Sequence, residues 1–169
     1  MVIVQEPEIK KILITGGSRG LGLATADWLA KPGVQLILTD ISTKACSVYG
    51  EADSIEDVIE KLEQKGATVM FEPSDLTNED QVRSLVARVE EEVSGIDGLL
   101  CFAGGDIKGL DDAAAGGKAQ NNTCFIKKDD FNAIFDRNFM TTFHVSRSVA
   151  QLMKKQGYGR ILTIASVSA

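Results

Sequence analysis

The sequence predicts an α/β fold in which a parallel sheet of five strands carries helices on both faces. Two observations support this class. Short apolar runs alternate with stretches in which apolar residues recur at helical spacing, and this alternation is typical of βαβ units. The chain has 169 residues, of which 44% are hydrophobic and 25% are charged, so it is long and apolar enough to bury one core.

The first half of the chain contains three predicted strands with helices between them. The apolar runs at 11–14, 34–39 and 67–71 are predicted to be strands. Residues 21–30 and the stripe from Ile55 to Leu62 are predicted to be helices. Ser54 and Asp57 have the spacing of a capping box, in which each side chain accepts a hydrogen bond from the other residue's backbone N–H. The second helix is therefore expected to begin just after Ser54.

The second half continues the alternation around one irregular segment. A third helix is predicted from an apolar stripe, with Thr77 and Asp80 as cap residues; the stripe is Val82, Leu85, Val86, Val89 and Val93. Strands are predicted at 96–102 and 160–164, and a long helix at 129–156. Residues 105–128 are rich in Gly, Ala and Asn and are predicted to form an irregular insertion. It is either a plain surface loop or a flap over the carboxyl ends of the strands, where open α/β sheets bind ligands.

The long helix is apolar on more than one side. One stripe comprises Phe131, Ile134, Phe135, Val145, Val149 and Leu152, whereas Phe139, Phe143 and Met153 fall off it. A helix that covers one face of a sheet needs only one apolar stripe. The second side is therefore expected to meet either a neighbouring helix of the same chain or another subunit.

A glycine-rich turn between the first strand and the first helix is the strongest functional signal. Gly16, Gly20 and Gly22 allow a tight turn and a close approach to a phosphate, and the helix N-terminus offers free N–H groups. Asp40 ends the second strand, near the spacing expected for an acid that binds the ribose hydroxyls. Glycine clusters also mark ordinary turns. With the strand before it, the helix after it and the acid beyond, the turn predicts dinucleotide binding on a Rossmann-type doubly wound sheet.

Composition argues against several other classes of function. The net charge of −6 disfavours nucleic-acid binding, and no apolar run reaches the roughly 18 residues of a membrane span. The first residues lack the features of a secretory signal. Cys46, Cys101 and Cys124 have no metal-like spacing, so three reduced thiols in a cytoplasmic protein are expected, with no metal site. His144, the only histidine, is expected to be a packed or surface residue rather than a catalytic base.

The chain resembles the compact type of the short-chain dehydrogenases/reductases. Residues 15–22 have the Thr-Gly-x-x-x-Gly-x-Gly form of that family's turn, and the matching motifs follow in family order along essentially the whole chain. Residues 101–104 stand where the family has Asn-Asn-Ala-Gly, although Cys101 and Phe102 replace both asparagines. Residues 136–139 match the helix with the catalytic Asn, and residues 159–166 match the strand before the catalytic Ser.

The resemblance implies a hydride transfer between a nicotinamide cofactor and an alcohol or ketone. It implies catalytic roles for Ser166, which would hold the substrate oxygen, and for Asn138, which would hold a water in the proton relay. Without the resemblance these would be a turn residue and a solvent-facing Asn. It also implies a homodimer or homotetramer. The implied cofactor-binding residues are Gly16, Ser18, Arg19, Gly20, Leu21, Gly22, Asp40, Ile41, Asp75, Leu76, Ala103 and Gly104.

The residues at the adenosine end predict a preference between the two nicotinamide cofactors. Asp40 would accept hydrogen bonds from the free ribose hydroxyls of NAD and repel the 2′-phosphate of NADP. Arg19 could instead neutralise that phosphate, which leaves NADP as the alternative. NAD is expected, because Asp40 should lie at the ribose whereas Arg19 can extend into solvent.

The family's Tyr-x-x-x-Lys pair is not found in this sequence. Neither Tyr49 nor Tyr158 has Lys four residues later, so the pair is expected in sequence beyond Ala169. The chain is accordingly interpreted as one nucleotide-binding domain over 1–169, incomplete relative to the family. A non-catalytic nucleotide-binding subunit is the alternative. A polypeptide of these residues alone is expected to be inactive and to aggregate through an exposed fifth strand.

Overall fold

A computed structural model of the protein describes residues 8–105, 124 and 126–165. Its centre is one five-stranded parallel sheet with the strand order β3-β2-β1-β4-β5, so the predicted Rossmann-type α/β fold is confirmed. The strands are β1 (Lys11–Thr15), β2 (Gln35–Asp40), β3 (Thr68–Pro73), β4 (Gly98–Cys101) and β5 (Arg160–Thr163). The helices are α1 (Gly20–Leu29), α2 (Ile55–Glu63), α3 (Glu79–Val93), α4 (Lys128–Phe135) and α5 (Thr141–Gln156).

The order of the strands reverses at β1. The chain adds β2 and β3 on one side of β1, then crosses to add β4 and β5 on the other side. Thr15, the last residue of β1, pairs with Thr39 of β2 and with Cys101, the last residue of β4. Because β1 and β4 run in the same direction, the loops that leave their carboxyl ends meet at the same edge, which is where this fold binds ligands.

Alternate residues of the strands build two cores, one on each face of the sheet. Helices α1 and α2 cover one face, and their contacts with it comprise Ile12, Ile14, Leu36, Leu38, Ala26, Val58 and Leu62. Helices α3 and α5 cover the other, with Leu13, Ile37, Leu99, Val82, Val89, Val145 and Val149. The strands β1 and β2 are buried on both faces, which explains why they are continuous apolar runs rather than alternating ones.

The ends of the helices confirm one predicted cap and correct another. Ser54 and Asp57 form the capping box at the start of α2. At α3 the N-cap is Asn78, whose side chain accepts from the N–H groups of Asp80 and Gln81. The prediction of Thr77 as a cap residue is wrong by one position. The Thr77 hydroxyl instead donates to the Asp75 carboxylate at 2.7 Å, because Asp75 precedes it in the turn that leaves β3.

The predicted helix at 129–156 contains a π turn. Asp136–Met140 joins α4 to α5 with the wider spacing of a π-helix, which shifts the faces before the turn relative to those after it. The predicted apolar stripe is therefore wrong in part. Met153 is buried with Val145, Val149 and Leu152, whereas Phe131 and Phe135 are exposed with Phe139 and Phe143. These four phenylalanines stack in succession, at centroid separations of 6.4, 4.9 and 6.3 Å, and form what we call the Phe ladder.

The strand β5 is the outer strand of the described sheet on its side. All four of its residues are exposed, as is Ile164 beyond it. Within the described ranges, no helix is both long and apolar enough to cross a membrane.

Candidate functional site

The glycine turn places β1 and α1 so close together that a side chain cannot fit between them. A Cβ atom on Gly22 would overlap the carbonyl oxygen of Gly16 and lie 2.8 Å from its carbonyl carbon. Gly16 and Gly20 have φ angles of 62° and 54°, in the left-handed region that favours glycine. The turn thus requires glycine at all three positions. Gly16 and Gly20 are required by their backbone conformation, and Gly22 by its close contact with Gly16.

The turn is tied to the end of β4 by Thr15. Its hydroxyl accepts hydrogen bonds from the N–H groups of Phe102 and Ala103, both at 3.1 Å. A Cβ atom on Gly16 would lie 3.0 Å from the Ala103 nitrogen, so the two loops are in contact. Ala103, one of the residues predicted to bind the cofactor, therefore lies beside the glycine turn. Thr15 was missed as a site residue, although a buried threonine at the end of an apolar strand is a signal that could have found it.

The N-terminus of α1 has no cap from its own sequence. Arg19 occupies the N-cap position without a side-chain hydrogen bond, and no acidic residue lies in the first turn. By contrast, the side chains of Ser54 and Asn78 cap α2 and α3. N–H groups without local partners and the positive end of the helix dipole suit an anion. This end of α1 therefore fits a dinucleotide pyrophosphate.

Asp40 lies next to this N-terminus and is 7% exposed. Its Oδ2 accepts the Ser18 hydroxyl at 2.7 Å, and its Oδ1 accepts the Ile41 N–H at 2.9 Å. Both hydrogen bonds fix the orientation of the carboxylate. Each carboxylate oxygen can accept a further hydrogen bond, so Asp40 fits the hydroxyl groups of a ribose.

The segment between β2 and α2, residues 41–53, covers the start of α1, and we call it the strap. Its Glu51 carboxylate accepts the N–H of Gly20 at 2.6 Å. The Arg19 guanidinium carbon lies 5.3 Å from the centre of the Tyr49 ring. In this structure Arg19 thus packs on the exposed Tyr49 ring, and its ability to extend into solvent stays a prediction. Neither Tyr49 nor Glu51 was predicted as a site residue, since nothing in the periodicity of the strap marks them.

The other predicted residues lie at the same edge of the sheet. Asp75 follows β3, and its Oδ1 accepts from the backbone and hydroxyl of Thr77, whereas the Leu76 side chain is buried in the core. The Leu21 side chain is exposed on the first turn of α1. Of these three side chains, Leu21 and Asp75 are thus at the surface of this edge, whereas Leu76 is not.

Asn138 lies on the π turn and is hydrogen-bonded to the loop after β4. Its Oδ1 accepts the Gly105 N–H and its Nδ2 donates to the Gly105 carbonyl, each at 2.9 Å. Nδ2 also donates to the carbonyl of Ile134. The Asn138 side chain therefore holds Gly104 and Gly105 beside the helix. Ser166 and most of the predicted 105–128 insertion lie outside the described residues.

Cys101 occupies one of the positions where the family motif has asparagine. It is 3% exposed, and burial raises the pKa of its thiol, which a contact with the Ser146 hydroxyl only partly opposes. The thiol is therefore neutral near pH 7 and a weak nucleophile. His144 is a buried residue of α5, which is the packed alternative of the prediction. In the part of the chain that the structure describes, no group of three His, Cys, Asp or Glu side chains could hold a metal ion.

The comparison with protein families agrees with this geometry. The model of the short chain dehydrogenase family matches residues 10–169. The chain belongs to the short-chain dehydrogenase family. The match includes the glycine turn, Asp40 and the π turn with Asn138, so the predicted resemblance is confirmed.

Individual relatives are similar to this chain at moderate identity. It is 28% identical over 160 residues to cyclohexanol dehydrogenase of Rhodococcus sp. (strain TK6), covering 93% of this chain and 56% of the relative. It is 32% identical over 156 residues to levodione reductase of Leifsonia aquatica, covering 92% and 52%. The structure of NAD+-bound xylitol dehydrogenase aligns with a TM-score of 0.74 and 28% identity, covering 97% of this chain and 55% of that one. The chain thus spans about half the length of the relatives it matches.

The close contact at Gly22 predicts a sharp effect of one added methyl group. Replacing Gly22 with Ala is expected to lower the free energy of unfolding by about 1–3 kcal/mol or more and to weaken NAD+ binding, because α1 must move away from the turn. Gly98→Ala is the matched control, since its Cβ would lie 3.3 Å from a methyl of Ile9 that can shift. Thermal melts and calorimetric titration measure both effects. A Gly22→Ala protein as stable as Gly98→Ala would contradict the steric argument.

Proposed function

We propose that the protein is an NAD(P)-dependent oxidoreductase that transfers a hydride between the nicotinamide and an alcohol or ketone. The observation that carries the proposal is the glycine turn at the N-terminus of α1, which has no cap from its own N-cap residue, with the oriented carboxylate of Asp40 beside it. The names of the relatives support it, because they are dehydrogenases and reductases of small alcohols and ketones.

In the proposed reaction the residues of this chain have separate roles in binding the cofactor and the substrate. The bound cofactor supplies the hydride chemistry. Gly16, Gly20 and Gly22 allow its phosphates to approach α1, and Asp40 binds its ribose. Ser166 holds the substrate oxygen, and Asn138 fixes the loop after β4 where the nicotinamide end of the site is expected. In this proposal a Tyr-x-x-x-Lys segment completes the proton route in the whole protein.

Turnover of simple secondary alcohols tests the activity. The whole protein, with the segment that carries the Tyr-x-x-x-Lys pair, is mixed with NAD+ and cyclohexanol or related alcohols, and NADH is followed by absorbance. Ser166→Ala is expected to lower kcat by about 10²–10³, with NAD+ affinity unchanged, because a group that stabilises the reacting oxygen acts mainly in the transition state. Ser168→Ala, two residues further along, is the control. Near-normal turnover of Ser166→Ala would refute this role.

NAD is proposed as the preferred cofactor because of Asp40. The carboxylate is nearly buried and held by Ser18, so it cannot turn away from a 2′-phosphate without losing that hydrogen bond. A charge in a partly dry site interacts more strongly than one in water, so the repulsion of NADP is effective there.

Calorimetric titration of the protein with NAD+ and NADP+ measures this preference. Asp40→Ala is expected to weaken NAD+ binding and to reduce the ratio of NAD+ to NADP+ affinity by about tenfold or more, since the repulsive charge is lost. Asp53→Ala, an exposed acid of the strap, should leave the ratio unchanged. Tighter binding of NADP+ than of NAD+ by the unmodified protein would overturn the assignment.

One observation favours a second candidate, a nucleotide-binding subunit without catalysis. Cys101 and Phe102 replace both asparagines of the family motif, and the buried Cys101 thiol cannot supply the hydrogen bonds of an amide side chain. This candidate differs from the first in one result, which is cofactor binding without turnover of any alcohol or ketone.

A homo-oligomer that associates through the Phe ladder is proposed as the assembled form. The four rings are exposed on one continuous surface of α4, the π turn and α5, and such a surface marks a protein contact more often than a solvated face.

The free thiols of Cys46, Cys101 and Cys124 support a reducing compartment such as the cytoplasm.

Light scattering of a single substitution tests this assembly. Phe139→Asp is expected to convert the oligomer to smaller species, because it places a charge in the middle of the ladder. Trp28→Asp is the control, since Trp28 is 82% exposed on α1, away from the ladder. An unchanged mass for Phe139→Asp, or a monomeric unmodified protein, would contradict the proposal.

A further inference from the structure

The Glu51 carboxylate of the strap contacts the Gly20 N–H, which is the group expected to bind a cofactor phosphate. The Gly20 N–H is the first of α1, and it donates to Glu51 Oε1 at 2.6 Å, a short distance typical of a charge-assisted hydrogen bond. Glu51 lies 31 residues along the chain from Gly20, so the contact is not a local cap. A carboxylate here satisfies the N–H group and the helix dipole in the same way as a phosphate oxygen does.

The strap has a fixed inner part and an exposed outer part. Ala45 and Cys46 are buried, and Cys46 packs in the core beneath α1 and α2. Tyr49 and Glu51 are exposed on either side of Gly50, whose φ angle is 70°. The outer part can therefore turn about its buried anchor without disturbing the core, and the glycine allows the backbone change.

We propose that Glu51 is an internal occupant of the phosphate site, which a nicotinamide cofactor must displace in order to bind. Two anions cannot share the Gly20 N–H, and their charges repel each other at that distance. In the free protein two contacts keep the strap closed: the Glu51–Gly20 hydrogen bond and the packing of the Arg19 guanidinium on the Tyr49 ring. With the cofactor bound, the Glu51 side chain points away from α1. The intrinsic affinity for the cofactor is reduced by the cost of that displacement. This inference rests on the proposed nicotinamide binding.

The proposal predicts that removing the carboxylate improves binding. Glu51→Gln and Glu51→Ala are expected to bind NAD+ about three- to tenfold more tightly than the unmodified protein. Glu56→Gln, an exposed carboxylate in the first turn of α2, makes the same change of charge and is the control. Its NAD+ affinity should differ from that of the unmodified protein by less than twofold.

A second readout reports the hydrogen bond without any cofactor. The amide proton of Gly20 in an NMR spectrum of the cofactor-free protein should move upfield in both Glu51 variants and stay in place in Glu56→Gln, because a charge-assisted bond to a carboxylate shifts such a proton downfield. Adding NAD+ to the unmodified protein should move the same resonance. This measurement shows whether the variants are folded and whether Glu51 is seated on α1.

The outcomes separate the two proposals. Tighter NAD+ binding by the Glu51 variants together with the Gly20 shift supports the internal occupant. Equal or weaker binding by these variants, or an unchanged Gly20 resonance, overturns the role of Glu51 and leaves nicotinamide binding intact. If neither NAD+ nor NADP+ binds to the unmodified protein or to any variant, the proposed function fails and the role of Glu51 fails with it.

Discussion

The close approach of α1 to the end of β1 is the constraint on which the rest of the site depends. Because Gly22 has no side chain, the first turn of the helix packs directly on the Gly16 carbonyl, and its N–H groups face the loop edge of the sheet. A methyl group added at Gly22 would move α1 away from the Gly16 carbonyl. The burial of Ala26 against β1 and β2 depends on the same packing, so core and site share one backbone contact.

A second contact links this turn to the other half of the sheet. The Thr15 hydroxyl accepts two N–H groups from the loop after β4, and Asn138 holds the next residues of that loop from the opposite side. The π turn gives Asn138 this position, since its wider spacing lets one side chain reach both Gly105 and the Ile134 carbonyl. The strand reversal at β1 thus brings the glycine turn into contact with the loop after β4, which Asn138 holds in turn.

The sequence predicted the features that depend on local spacing. The strands, the capping box at Ser54 and the position of Asp40 follow from apolar periodicity and from residue types next to each other in the chain. It failed where two neighbours compete for one role: Thr77 and Asn78 are both good caps, and only the extended backbone of Asn78 decides between them. The π turn was missed because a single wider turn leaves the apolar pattern on either side intact.

The contact between Glu51 and Gly20 could not be predicted, because it joins two loops that no periodicity relates. This contact adds a second carboxylate to the site. From the sequence, Asp40 and Arg19 are opposing determinants at the ribose. In the structure Arg19 is held over Tyr49, and two carboxylates, Asp40 and Glu51, flank the start of α1. The position of the strap therefore controls the charge that a ligand meets. While the strap is closed, the Glu51 carboxylate occupies the Gly20 N–H, and once Glu51 turns out, Arg19 and Tyr49 must move with it or lose their contact.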